Sequence, residues 1–145
     1  MTMTTVGNLP VSTFAADAVA SVTEEADLWR VAEALVEADV GALTVGDGDD
    51  VRGIVSERDI VRALAARRDP SKTSAADIAH TSLVWCDAAS TVAEVAAEMM
   101  ERYVRHVLVE DEGRVVGIVS ARDLLGVYAA ADSTDDYFDL EGTAD

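Results

Sequence analysis

The sequence predicts an α+β protein made of two β-α-β-β-α repeats packed with pseudo-two-fold symmetry. The segment Val51 to Val61 returns as Val115 to Leu125, displaced by 64 positions (115 minus 51). The match extends backwards without a gap to Asp27 and Thr91. A repeat of this length predicts two copies of one structural unit, which normally pack face to face and create matching clefts.

Each repeat is predicted to open with a strand and an amphipathic helix. Short apolar runs near Val19 to Val22 and Leu83 to Cys86 supply the strands. Apolar residues then recur at i, i+3, i+4, i+7 and i+8, the spacing of a helix with one buried stripe. The stripe is Leu28, Val31, Ala32, Leu35 and Val36 in the first copy, and Val92, Val95, Ala96, Met99, Met100 and Tyr103 in the second.

A hairpin and a second helix complete each repeat. Two apolar runs flank a turn rich in Gly and acidic residues, a pattern typical of paired strands. The runs are Ala42 to Val45 and Val51 to Val55 in the first copy, and Val107 to Val109 and Val115 to Val119 in the second. The last helix is predicted from Ile60, Val61, Leu64 and Ala65, and from Leu124, Leu125, Tyr128 and Ala129.

The repeats predict four segments along the chain. Residues 6–68 form the first repeat, 69–74 a short connector, 75–131 the second repeat, and 132–145 an acidic tail expected to be disordered. Pro70 and its polar neighbours stop the preceding helix. Upstream, Val6 to Leu9 resembles Ala75 to Ile78, with a longer spacing to the following strand in the first copy.

Composition narrows the class of protein. The chain has 145 residues, of which 50% are hydrophobic, enough for one compact module. Neither a membrane-length apolar run nor a secretory signal is recognisable, so we expect a cytoplasmic protein. The net charge of −17 argues against nucleic-acid and membrane partners. It also favours a salt-adapted protein, the alternative being an ordinary acidic one.

Cysteine and histidine give no sign of a metal site. Cys86 is the only cysteine and lies in an apolar run, so we expect a buried, inert thiol and no disulfide. His80 and His106 lack a surrounding cluster of acids, which predicts no transition-metal site. His80 is expected to be an ordinary residue of a polar loop.

The residues that could bind a ligand lie where the second strand of each hairpin meets a helix. Ser56-Glu57-Arg58-Asp59 and Ser120-Ala121-Arg122-Asp123 occupy these junctions. One interpretation is helix capping, in which Ser accepts from a backbone N–H and Asp reaches back. The other is ligand binding, with the helix N-terminus and Ser facing a phosphate and Asp facing a ribose diol. Spacing alone leaves both open.

The doubled motif resembles that of the cystathionine-beta-synthase (CBS) domain, whose tandem pair is called a Bateman module. The matching residues are Gly53-Ile54-Val55-Ser56-x-x-Asp59 and Gly117-Ile118-Val119-Ser120-x-x-Asp123, with Arg105-His106-Val107-Leu108-Val109-x-Asp111 before the second. The resemblance covers nearly the whole chain except the acidic tail. It implies a regulatory module that binds AMP, ADP, ATP or S-adenosylmethionine in clefts between the repeats.

The resemblance also implies roles for individual residues. Asp59 and Asp123 would hold the ribose, Ser56 and Ser120 would face the phosphate, and Arg58 and Arg122 lie inside the motifs. The base would sit near Val22-Thr23 and Cys86-Asp87. Arg105-His106 would face the phosphates, whereas the first copy has Gly41-Ala42 there. These differences, with Asp87 in place of Thr23, predict two chemically unequal sites.

The resemblance implies a non-catalytic function with no required cofactor. Neither Ser lies in a Gly-x-Ser-x-Gly elbow, and no His and acid pair is identifiable as its activating base. An alternative is a ligand-independent scaffold whose Ser-x-x-Asp motifs only cap helices. We further expect a homodimer that forms through the helices, with Leu64 and Tyr128 as contributing residues, and a regulated partner that the sequence does not name.

Overall fold

The computed structural model describes residues 5–15 and 19–130. They divide into two compact units. Unit A comprises residues 19–83 and 111–116, and unit B comprises residues 5–15, 84–110 and 117–130. The predicted acidic tail, 132–145, lies outside the described residues.

Unit A contains the elements of the first repeat and one helix from the start of the predicted second repeat. In chain order they are β1 (Ser21–Val22), α1 (Leu28–Ala38), β2 (Ala42–Asp47), β3 (Asp50–Ser56), α2 (Glu57–Ala65) and the short α3 (Ala75–Ile78). The strands form a sheet in the order β1-β2-β3, with β1 parallel and β3 antiparallel to β2. The core between helices and sheet consists of Val22, Val31, Ala34, Leu35, Leu43, Val45, Val55 and Ala75.

Unit B repeats the arrangement, although residues 111–116, at the β5-β6 hairpin, group with unit A. Two 3₁₀ turns, Val6–Asn8 and Val11–Phe14, precede β4 (Trp85–Asp87), α4 (Val92–Arg102), β5 (His106–Asp111) and β6 (Arg114–Ser120). Residues 121–130 continue as a helix, α5. The second sheet has the order β4-β5-β6, with β4 parallel to β5. The predicted α+β class with two β-α-β-β-α repeats is therefore confirmed.

Side-chain caps explain where α1 and α4 begin. The side chain of Asp27 accepts from the backbone N–H of Arg30, and Thr91 accepts from Glu94 in the same way. Both helices end at a residue in the left-handed region, Asp39 and Tyr103. The two copies thus share the boundaries of this helix as well as its sequence period.

The buried stripe of the first helix is narrower than the sequence predicts. Val36 on α1 is 80% exposed, and Met100 on α4 is 78% exposed. Tyr103, which ends α4, is 94% exposed. These three residues lie at the edge of the apolar period, and the sheet covers only the centre of each stripe, so the inclusion of Val36, Met100 and Tyr103 in the core is wrong.

The repeat also extends further towards the amino end than the sequence suggests. In unit A, Ser74 bridges Asp27, and in unit B, Pro10 bridges Thr91, the positions 64 residues away. The counterpart of α3 is therefore Val11–Phe14 and not Val6 to Leu9. The buried side chains of Val11 and Ala75 occupy equivalent places, both fully covered. A bridge between distant backbones decides this alignment, and the two sequences share too little to show it.

Candidate functional site

The first Ser-x-x-Asp motif forms a complete capping box at the start of α2. The Asp59 carboxylate accepts at Oδ2 from the Ser56 backbone N–H at 2.8 Å and from the Ser56 hydroxyl at 2.9 Å. The backbone N–H of Asp59 faces the Ser56 hydroxyl oxygen at 3.4 Å. Asp59 is 6% exposed and Ser56 is half-buried, so the protein covers the carboxylate almost completely.

A third side chain completes the surroundings of Asp59. Nε2 of His80 lies 2.7 Å from the other carboxylate oxygen, Oδ1. The His80 side chain itself is 62% exposed. Sequence reasoning gave His80 no role, because the loop that holds it returns to the motif only through the fold of residues 75–80. Both oxygens of Asp59 thus already accept hydrogen bonds from the protein.

The second motif has the same box in a more open setting. The Ser120 backbone N–H donates to Oδ2 of Asp123 at 3.0 Å, and the Asp123 N–H donates to the Ser120 hydroxyl at 2.9 Å. Asp123 is exposed, unlike Asp59. Within residues 5–15 and 19–130, no side chain is seen to donate to its Oδ1. This oxygen can accept a hydroxyl from outside the protein.

Asp123 opens onto a cavity of unit B of about 720 Å³. One wall is a single face of α5, formed by Arg122, Asp123, Gly126 and Val127. The other wall is formed by Phe14 and Val6. The volume lies in the range of small-molecule sites, and the wall combines one aromatic ring, aliphatic groups, a cation and a carboxylate. Sequence reasoning missed Phe14 and Val6, because only the fold brings these distant residues to α5.

The turn before each second strand adjoins its motif. In unit A, the backbone N–H of Glu57 donates to the Gly41 carbonyl at 3.0 Å, and Ala42 pairs with Ser56. In unit B, the Ala121 N–H donates to the Arg105 carbonyl at 2.8 Å. Arg105 and the neighbouring His106 therefore lie at the N-terminus of α5, as Gly41 and Ala42 lie at that of α2. Arg58 and Arg122 are both exposed beside their boxes.

The predicted base-side residues lie away from the motif of their own unit. Val22 is level with Val45 on β2, whereas Ser56 is level with Ala42. Three residues along a strand span about 10 Å, and Thr23 lies one residue further. Within unit B, Cys86 and Asp87 pair with Val109 and Glu110, similarly far along β5 from His106. Within each unit, the start of the leading strand comes closer to the motif than its end.

Cys86 is only partly buried, so the prediction of a buried thiol is wrong. Burial raises the pKa of its thiol to about 11, and the carboxylates of Asp87, Glu110 and Glu98 act in the same direction. A thiol with this pKa is almost entirely protonated near neutral pH and is a weak nucleophile and metal ligand. In the part of the chain that the structure describes, no group of three His, Cys, Asp or Glu side chains could hold a metal ion.

No helix among the described residues has both the length and the apolar character needed to cross a membrane.

The fold and the site together define the class of protein as a tandem-repeat protein. It has two β-α-β-β-α repeats, and each carries a Ser-x-x-Asp box where its last strand meets its last helix. The family model of the CBS domain matches residues 6–66 and 75–130. The chain belongs to the CBS domain family and carries two copies of the domain.

Individual relatives cover most of the chain. Hypoxic response protein 1 of Mycobacterium tuberculosis is 39% identical over 108 residues, which are 73% of this chain and 76% of the relative. A solved structure of Hypoxic Response Protein I with two coordinated zinc ions has 35% identity and a TM-score of 0.66, over 80% of this chain and 96% of that one.

A second solved structure contains a nucleotide. It is a CBS domain protein from Pyrobaculum aerophilum complexed with AMP, with 31% identity and a TM-score of 0.69. The match covers 79% of this chain and 89% of that one.

Proposed function

We propose that this protein is a non-catalytic regulatory module that binds an adenosine-containing ligand at the second Ser-x-x-Asp motif. The observation that carries the proposal is the cavity of unit B, in which the exposed carboxylate of Asp123 stands beside Arg122 and across from Phe14. The AMP complex of the Pyrobaculum aerophilum relative supports the same class of ligand.

Each part of such a ligand has a chemical counterpart in this site. Oδ1 of Asp123 can accept from a ribose hydroxyl, and the ring of Phe14 can stack on an adenine. The N-terminus of α5, with the Ser120 hydroxyl, presents a positive dipole end suited to a phosphate. Arg122, Arg105 and His106 place basic groups around that N-terminus. Asp59, Ser56, Gly41 and Ala42 form the corresponding first-repeat site, which lacks the basic pair.

Charge favours ligands with few phosphates. The chain carries a net charge of −17, so a triphosphate must approach against the field of the whole protein. Salt shortens the range of this repulsion, to about 3 Å at molar ionic strength. AMP, with a smaller charge, and S-adenosylmethionine, with a cationic sulfonium, are therefore the preferred ligands over ADP and ATP. Binding then shifts the population of conformations or association states that a partner protein distinguishes.

A calorimetric titration with AMP, ADP, ATP and S-adenosylmethionine at high and low salt tests the proposal. Asp123→Asn should abolish AMP binding at the second motif while the fold remains intact by circular dichroism. Glu112→Gln, an equally conservative change in the exposed β5-β6 turn, serves as the control and should bind like the parent. Undiminished AMP binding by Asp123→Asn would contradict the assignment.

A ligand-independent scaffold is the second candidate function. The observation that favours it is that the Ser and Asp side chains of both motifs already cap helices. The two functions separate on one comparison, because a scaffold gives no stabilisation by any adenosine ligand, whereas a ligand at 100 times its Kd raises stability by about 2.7 kcal/mol.

We also propose that the protein forms a homodimer through its helices. Val61 and Leu64 on α2 are 63% and 48% exposed, and Leu125 on α5 is 70% exposed. Together with Val36 and Met100 they leave apolar helix surface uncovered in both units. Tyr128 contributes less than the sequence suggests, because its hydroxyl lies against Gly7 within unit B, 3.3 Å from where a Cβ on that glycine would stand.

A further inference from the structure

Both oxygens of Asp59 already accept hydrogen bonds from within the protein. Oδ2 accepts two hydrogen bonds from Ser56, and Oδ1 stands 2.7 Å from Nε2 of His80. A ribose diol offers hydroxyl donors to such a carboxylate and competes directly with the imidazole for Oδ1. Because Asp59 is 6% exposed, little of its carboxylate surface is left for a second donor beside the imidazole.

The backbone pairing of His80 holds this residue beside Asp59. Ile54 and His80 exchange two backbone hydrogen bonds, at 3.0 Å and 2.8 Å, so that residues 79–80 lie against β3 as a short antiparallel bridge. Gly53 permits the approach, since a Cβ there would lie 2.9 Å from the Cβ of Ala79 and 3.0 Å from the His80 carbonyl oxygen. The backbone bridge between Ile54 and His80 thus places the imidazole next to Asp59.

The second motif differs at this point. Among residues 5–15 and 19–130, Asp123 accepts at Oδ2 from the Ser120 backbone N–H, and no side chain donates to its Oδ1. Asp123 is also exposed, whereas Asp59 is buried. The two motifs therefore differ in whether a side chain of the protein already occupies the oxygen that a ribose hydroxyl would use.

We propose that His80 is an internal competitor of the ligand at the first motif, so that the resting protein binds one adenosine ligand per chain, at Asp123. This inference rests on the proposed function. The imidazole is 62% exposed and its backbone bridge does not depend on the ring. Rotation of the His80 side chain into solvent therefore opens the first site without unfolding the loop. The first motif is then a second ligand site, with lower affinity than the site at Asp123.

Removal of the ring tests the competition. Calorimetry with AMP should give one site per chain for the parent protein and two for His80→Ala. Hydrogen bonds to a charged group contribute enough that affinity at the first motif should rise about tenfold or more when the competitor is lost. Thr81→Ala, an exposed neighbour with no side-chain contact to Asp59, is the matched control and should keep one site.

Two further variants separate this competition from a general loosening of the loop. His80→Gln retains a side-chain N–H donor and should keep the first site closed, while His80→Ala combined with Asp59→Asn should lose the second binding event again.

The outcomes distinguish the inference from the function on which it rests. Two sites of equal affinity in the parent, or one site in both the parent and His80→Ala, would overturn the competition while leaving adenosine binding in place. No binding by either protein would overturn both.

Discussion

Val36 on α1 and Met100 on α4 occupy the same position in the two repeats and are both left uncovered, with 80% and 78% of their surface exposed. A single exposed apolar residue needs no explanation, but the same position apolar and uncovered in both copies supports the proposed dimer surface. Val61 and Leu125, another matched pair, are exposed in the same way.

The dimer proposal predicts that charge at this matched pair produces monomers. The double change Val36→Glu and Met100→Glu should halve the mass measured by light scattering after size exclusion, because burying two carboxylates at an apolar contact is costly. The melting temperature of the monomeric fold should change little, since neither side chain is in a core. Lys72→Glu also adds negative charge, but in the exposed connector, and should leave the mass unaltered. A dimer that survives the double change would assign the contact to other residues.

Asp59 and Asp123 should differ in their contribution to stability. Asp59→Asn leaves a buried group with fewer favourable partners and should lower the free energy of unfolding by about 1–3 kcal/mol. Asp123→Asn alters an exposed cap and should cost about 1 kcal/mol or less. Urea denaturation of both variants, without ligand, makes the comparison. Equal losses would mean that the burial of Asp59 and its contact with His80 add nothing to stability.

Gly53 should not tolerate a methyl group. Gly53→Ala brings its Cβ within 3.0 Å of the Ala79 Cβ and to 3.0 Å from the His80 carbonyl oxygen, and overpacking of this kind costs about 1–3 kcal/mol. Gly41→Ala is the matched control, because nothing lies within 4 Å of the added Cβ. Thermal denaturation should show a clear loss for the first variant and none for the second. If both behave alike, the loop of residues 79–80 yields more readily than its backbone pairing suggests.

The thiol of Cys86 should react slowly in the folded protein. Its pKa is raised from 9.0 to about 11, chiefly by burial, so the thiolate fraction at pH 8 falls by about a hundredfold. Alkylation by iodoacetamide followed by mass spectrometry should therefore be slow in buffer and fast in urea. Rapid labelling of the native protein would show that the thiol is not shielded.

The capping box of α3 should make a pH-dependent contribution to stability. Hydrogen bonds from the Ser74 backbone and hydroxyl lower the pKa of Asp77 from its ordinary value of 3.8. The carboxylate form is thus favoured in the folded state, so its contribution is present above the unfolded pKa and is lost as pH falls through the folded pKa. Ser74→Ala should be less stable than the parent near neutral pH, with a difference that shrinks in acid. Denaturation curves at both pH values, and a carboxyl titration of Asp77 by NMR, measure the effect.

The features that the sequence predicted correctly are those that depend on residues close together along the chain. The doubled segment from Val51 and from Val115 determined the number of repeats, and the apolar period located α1 and α4 because a helix that buries one face must repeat its apolar residues along that face. The capping boxes at Ser56 and Ser120 followed from residue types whose side chains reach only a few positions along the chain.

Contacts between distant segments were beyond such patterns. The approach of His80 to Asp59 depends on a backbone bridge to Ile54, and the wall formed by Phe14 depends on a turn near the amino end. The placement of Thr23 away from its motif follows from strand register, which side-chain alternation alone does not reveal. Exposure of Met100 depends on how much of the helix the sheet covers, whereas periodicity shows only the direction of the apolar face.

The connector between the repeats, residues 69–74, bonds to the start of α1. The backbone N–H of Leu28, at the start of α1, donates to the carbonyls of Pro70 and Thr73, and the Ala75 N–H donates to Ala26. Thr73 is 3% exposed. The connector residues therefore also cap the N-terminus of α1 and cover part of the first repeat's core. A fragment cut at the end of the first repeat, near residue 68, would expose the N-terminus of α1 and one side of its core, so an autonomous single copy must extend through at least residue 80.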